Sequence, residues 1–132
     1  MKNYMSDRPL GKILNIPAGE SNSLLFTMVQ ILGEDWIEQD KGHLLQKLWR
    51  RKDFLATTEL LNLAYSINNI NKINPKWLQG QIKKVKSDDI NNVKGALFEI
   101  IGFGYLMNPS YKIELASDGN PGIDGTIVFN CI

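Results

Sequence analysis

The sequence predicts an α+β fold: a mainly helical region over residues 1–86, then one long helix and a short β-sheet over residues 87–132. Three observations predict it. Apolar residues recur at helical spacing from Ser21 to Val85, a nearly unbroken apolar helix follows from about Asp89 to Met107, and the pattern then turns to strand-like alternation in "YKIELAS" and "GTIVF". Helices succeeded by strands give an α+β architecture, or a helical region leading into an α/β one.

The elements follow in order. Pro9, Gly11, Pro17 and Gly19 mark the first twenty residues as an irregular arm. The first helix lies in "SNSLLFTMVQILG", with Ser21 or Ser23 available as a cap and Gly33 as a C-terminal stop. "KGHLLQKLWRRK" places Leu44, Leu45, Leu48 and Trp49 on one face, and "FLATTELLNLAYSINNI" repeats apolar residues at Leu60, Leu63, Ala64 and Ile67. The polar "NNINKIN" is expected to break that run. Asn74 then caps a helix with Pro75 at its first position, and Leu78, Ile82 and Val85 form its buried stripe. The long helix is bounded by Ser87, Asp88 and Asp89 at its start and by Asn108-Pro109 at its end. Tyr111, Ile113 and Leu115 alternate with Lys112 and Glu114 as a strand; "DGNPG" is a turn, and "IDGTIVFN" is the second strand.

Composition narrows the class. A chain of 132 residues, 43% hydrophobic and 22% charged, is an ordinary globular domain and not a disordered segment. The single cysteine, Cys131, rules out an intrachain disulfide and a cysteine-based zinc site. No apolar run is long enough to span a membrane, and "MKNYMSDRPL" lacks the apolar core of a signal peptide, so no membrane partner and a cytoplasmic location are expected. Charge is uneven. Residues 41–94 hold eleven basic and four acidic side chains, whereas residues 95–132 hold one basic and four acidic. Such a split suits phosphate binding beside a metal site, and equally suits two parts pairing with each other.

Two carboxylates stand out. Glu99 is the one charged residue between Ala96 and Met107, in a helix apolar nearly all round, where an acid is costly unless paired, protonated or bound to a cation. By itself, a salt bridge to a lysine is the commoner explanation. Asp124 opens the second strand, although Asp-Gly is also a turn dipeptide. Together, a helix carboxylate and a strand carboxylate supply two oxygen ligands for a hard cation such as Mg²⁺, which activates water for attack on a phosphodiester.

These motifs resemble the PD-(D/E)XK, or restriction-endonuclease-like, nuclease superfamily over residues 90–132. "GALFEIIGFGYL" is similar to its Glu-bearing helix, "YKIELAS" to its first strand, and "PGIDGTIVF" to the Pro-x-x-Asp opening of its second. The resemblance implies that Glu99 and Asp124 are catalytic metal ligands for Mg²⁺ and that the substrate is nucleic acid, DNA among the candidates. Arg50, Arg51, Lys52, Lys83, Lys84 and Lys86 would then contact phosphates. No (E/Q)-x-K follows the second strand, so the resemblance implies a fragment of a longer nuclease, inactive by itself. The alternative is a non-catalytic helical interaction module. Its exposed C-terminal strand edge would dock a partner chain or a second copy. His43, beside Leu44 and Leu45, reads as a helix-surface or partly buried residue, and the three tryptophans as core anchors.

Overall fold

Asp53 shows how locally these helices are set: its backbone oxygen accepts from Thr57 N at 3.0 Å and its side chain from Ala56 N at 3.3 Å, starting the longest of the described helices. A computed structural model describes residues 1–9 and 19–106 in full, together with the backbone of 111–115 and 125–129. The described helices are α1 (Ser21–Leu32), α2 (Glu34–Ile37), α3 (Leu44–Arg50), α4 (Phe54–Ile73), α5 (Pro75–Val85) and α6 (Ile90–Leu106).

The architecture is helical, which corrects the α+β expectation. Among the residues whose side chains are described there is helix and turn, and no strand. Among the described residues, one backbone ladder pairs β1 (Tyr111–Leu115) antiparallel with β2 (Gly125–Phe129), Ile113 opposite Ile127. Two strands alone do not form a sheet layer able to carry a core, so the helices decide the class.

Two compact units divide the chain, Met1–Tyr65 and Ser66–Ile132, the boundary falling inside α4. In the first, Leu25, Met28, Val29 and Leu32 of α1 are buried, as are Ile37, Leu45 and Trp49. Gly33 ends α1 at φ 97°, a conformation that glycine adopts without strain, and its N–H bonds Val29 O at 2.8 Å. Neither Ser21 nor Ser23 caps α1; Ser23 Oγ instead donates back to Glu20 O at 2.9 Å. His43 caps α3, its Nδ1 accepting from Leu45 N at 3.0 Å, and its ring meets Trp36 edge-on at 4.7 Å.

In the second unit α4 runs on to Ile73, so "NNINKIN" does not break it. Asparagine lowers helix propensity by competing for backbone bonds, but Asn69 finds a tertiary acceptor, donating from Nδ2 to Gly104 O at 3.1 Å. The break comes at Asn74-Pro75, where Asn74 leaves helical geometry at φ −146° and accepts from Trp77 N at 3.1 Å. Leu78, Ile82 and Val85 of α5 are buried beside Val93, Ala96 and Ile100 of α6, and Trp77 meets Phe103 edge-on at 5.5 Å. Gly104 permits the closest approach. A Cβ at this position would overlap Ser66 Cα, Cβ and Oγ, and Ser66 Oγ donates to Ile101 O at 3.4 Å.

Gly104→Ala is therefore expected to destabilise the chain by about 1–3 kcal/mol, the range for overpacking a close contact. Urea unfolding followed by circular dichroism measures it.

Candidate functional site

The site is best approached through the charged side chains. Arg8, in the segment before α1, is 6% exposed. Its Nη2 donates to Trp49 O at 2.8 Å, and Nη1 donates to Arg51 O at 3.0 Å and Thr57 Oγ1 at 3.3 Å. The guanidinium lies 4.9 Å from the Trp49 ring, and Lys52 Nζ lies 5.4 Å from the same ring. Burial lowers the Arg8 pKa, opposed by Asp7 and Asp53, yet arginine starts so far above neutrality that it stays charged.

Beside this cluster a groove of about 360 Å³ is lined by residues that include Lys2, Tyr4, Asp7, Glu38, Arg50 and Lys52. Its charges answer one another. Lys52 is 3.8 Å from Asp7, Trp49 Nε1 donates to Glu38 Oε1 at 3.2 Å, and Arg50 reaches Glu38 O at 2.7 Å and Asp40 at 3.7 Å. Arg51 holds Asp53 through two bonds of 2.9 Å.

The six basic residues expected to contact phosphate thus divide into two kinds. Arg50, Arg51 and Lys52 are engaged with local acids, carbonyls or the Trp49 ring. Lys83 and Lys84 are exposed on α5, and among the described residues neither makes an ion pair; Lys86 is exposed just beyond that helix. Folding brings Asp7 to Lys52 and Glu38 O to Arg50, and the neighbouring sequence adds to it. Asp40 and Asp53 flank Arg50–Lys52, whereas residues 75–86 contain no acid.

Glu99 lies on α6, partly exposed, and it has interactions of its own within the fold. Asp124 falls outside the described residues, so the Glu99–Asp124 pair has no geometry here. Among the described residues no three His, Cys, Asp or Glu side chains gather where they could hold a metal. The strand-edge docking expectation likewise falls on a segment whose side chains are not described. No described helix is long and apolar enough to cross a membrane.

Sequence reasoning passed over Arg8, which sits in an arm without periodicity and carries no local signal of burial. The apolar pattern of α6 likewise does not say which of its faces is covered. Phe98 is 80% exposed, with Gly95 and Gly102 open on the same side. No protein-family model matches this chain, and no curated protein or solved structure matches it either.

Two predictions follow from the N-terminal cluster. Arg8→Met removes donors from Trp49 O, Arg51 O and Thr57 Oγ1, and is expected to lower stability by about 1–3 kcal/mol in chemical denaturation. Asp53 is held at a pKa of about 2, below its ordinary 3.8, chiefly by the Arg51 hydrogen bond. A depressed carboxylate stabilises the fold above its ordinary pKa, and that contribution is lost as pH falls through about 2. Carboxyl NMR titration should place the Asp53 midpoint near 2, and Arg51→Gln should return it toward 3.8.

Proposed function

We propose that this chain is a helical module that binds nucleic acid through its phosphates, with α5 as the contact face. The observation that carries this reading is the charge pattern of that helix. Leu78, Gln81, Ile82 and Val85 are buried, while Lys76, Lys83, Lys84 and Lys86 face solvent along and just past the same helix, with no acid between Pro75 and Lys86. Lys72 and Lys94, in the same unit, are exposed as well.

From Lys76 to Lys86 the helical rise spans about 15 Å, at ~1.5 Å per residue. A duplex presents about one phosphate per 1.7 Å of its axis, so a row of this length meets charge at every position. Each lysine that neutralises a phosphate releases a condensed counterion, which drives binding without reading sequence. Nuclease activity asks for more: a cation shared by Glu99 and Asp124, and an (E/Q)-x-K element on a further strand.

Fluorescence anisotropy of a labelled DNA duplex between about 50 and 200 mM salt tests the proposal. The logarithm of affinity is expected to fall with that of salt by about 0.9 for each phosphate contacted. The double variant Lys83→Glu/Lys84→Glu should weaken binding about tenfold or more and flatten the slope by about 2. Binding that is absent at the lowest salt, or indifferent to the double variant, overturns the reading. Cleavage that requires Mg²⁺ and is lost in Asp124→Asn would replace it with the nuclease.

A further inference from the structure

We infer that α5 takes a double helix and not a single strand, bridging the two backbones of a duplex with Lys76 on one and Lys83 with Lys84 on the other. The inference rests on the phosphate-binding reading of α5 and names the class of nucleic acid that this face accepts. The cations of the helix stand at its two ends. Lys76 lies in the first turn, Lys83 and Lys84 lie in the last, and all three are exposed. At 100° per residue, Lys83 falls within about 20° of Lys76 and Lys84 about 80° round from it, so both ends address one side. Among the described residues none of the three makes an ion pair. Between the two ends the exposed side chain is that of Gln79, which is uncharged.

Two charged ends with a neutral middle suit two backbones. Seven to eight residues of helix set the ends about 10–12 Å apart, at ~1.5 Å per residue. The major groove of B-form DNA is about 12 Å wide and its minor groove about 6 Å. The helix therefore reaches phosphates on both sides of a major groove at once and overshoots a minor groove. A single strand meets both ends only by stretching along the helix. That ordering costs free energy, which single-strand binders recover by stacking bases on aromatic faces. On α5 the aromatic is Trp77, and its ring is engaged edge-on with Phe103 at 5.5 Å. Phe98, the exposed aromatic of α6, lies about 140° round that helix from Phe103, on a side turned away from α5. Neither ring is placed to stack a base held by these lysines.

Fluorescence anisotropy of the whole chain at about 0.1 M salt, with a labelled DNA duplex of about 20 base pairs and with one of its strands, tests the bridge. The duplex is expected to bind about tenfold or more tightly than the strand. Lys76→Gln, at the end opposite Lys83 and Lys84, should weaken duplex binding about fivefold or more and flatten the salt slope by about 1. Methyl green, which occupies the major groove, should displace the chain, and netropsin, which occupies the minor groove, should not. Equal affinity for duplex and strand, a Lys76→Gln protein that binds as the wild type does, or displacement by netropsin alone overturns the bridge and leaves phosphate binding by α5 standing. Failure of both duplex and strand to bind overturns the phosphate reading and the bridge with it.

Discussion

A buried guanidinium organises the N-terminal unit. Arg8 gathers Trp49 O, Arg51 O and Thr57 Oγ1, groups that belong to the end of α3, the connection after it, and the first turn of α4. Backbone oxygens at a helix end have no partner within the helix. A guanidinium offers its donors in a planar fork, so one side chain answers two such oxygens and a hydroxyl together. Taking the charge out of water is expensive, and the Trp49 ring on one side and these acceptors on the other offset that expense. Tyr4 packs edge-on against the same ring at 5.3 Å, so Tyr4 and Arg8 both belong to the packing around Trp49.

In the second unit the corresponding constraint is steric. The backbone of α6 at Gly104 comes against Ser66 of α4 so closely that only glycine fits, and two side chains of α4, Ser66 and Asn69, donate to carbonyls of α6. Those bonds satisfy polar groups that close packing would otherwise strand. Packing of this kind also decides which surfaces remain. The inner stripe of α5 and the arc from Val93 to Gly104 are consumed by the core. The lysines of α5 and the Phe98 face of α6 are left outward, and the binding readings rest on the former.

Much of the helical skeleton was legible in the sequence, because capping and chain stiffness act over a few residues. Gly33, Asn74 with Pro75, and the acids before Ile90 each place a helix boundary by local chemistry. The four-residue α2 gave no periodicity to detect. The continuation of α4 through Asn68–Ile73 was hidden for another reason. Asparagine there is unfavourable until a distant acceptor, Gly104 O, becomes available to Asn69. The α+β assignment failed because alternation in two short segments says that strands are possible and nothing about whether a sheet of sufficient width exists. Of the two carboxylates, the helical position of Glu99 was legible, and its partners were not.

The sequence alone determined the helix boundaries at Gly33 and at Asn74-Pro75, the amphipathic stripe of α5 and the absence of acids along it, all consequences of forces that operate within one or two turns. Tertiary structure decided which cations are spent, since Arg50–Lys52 meet acids and an aromatic ring that folding brings near, while Lys83 and Lys84 meet none among the described residues. It also decided that Arg8 is buried and Phe98 is not. Burial depends on what other segments cover, and that is a property of the assembled chain that no local pattern encodes.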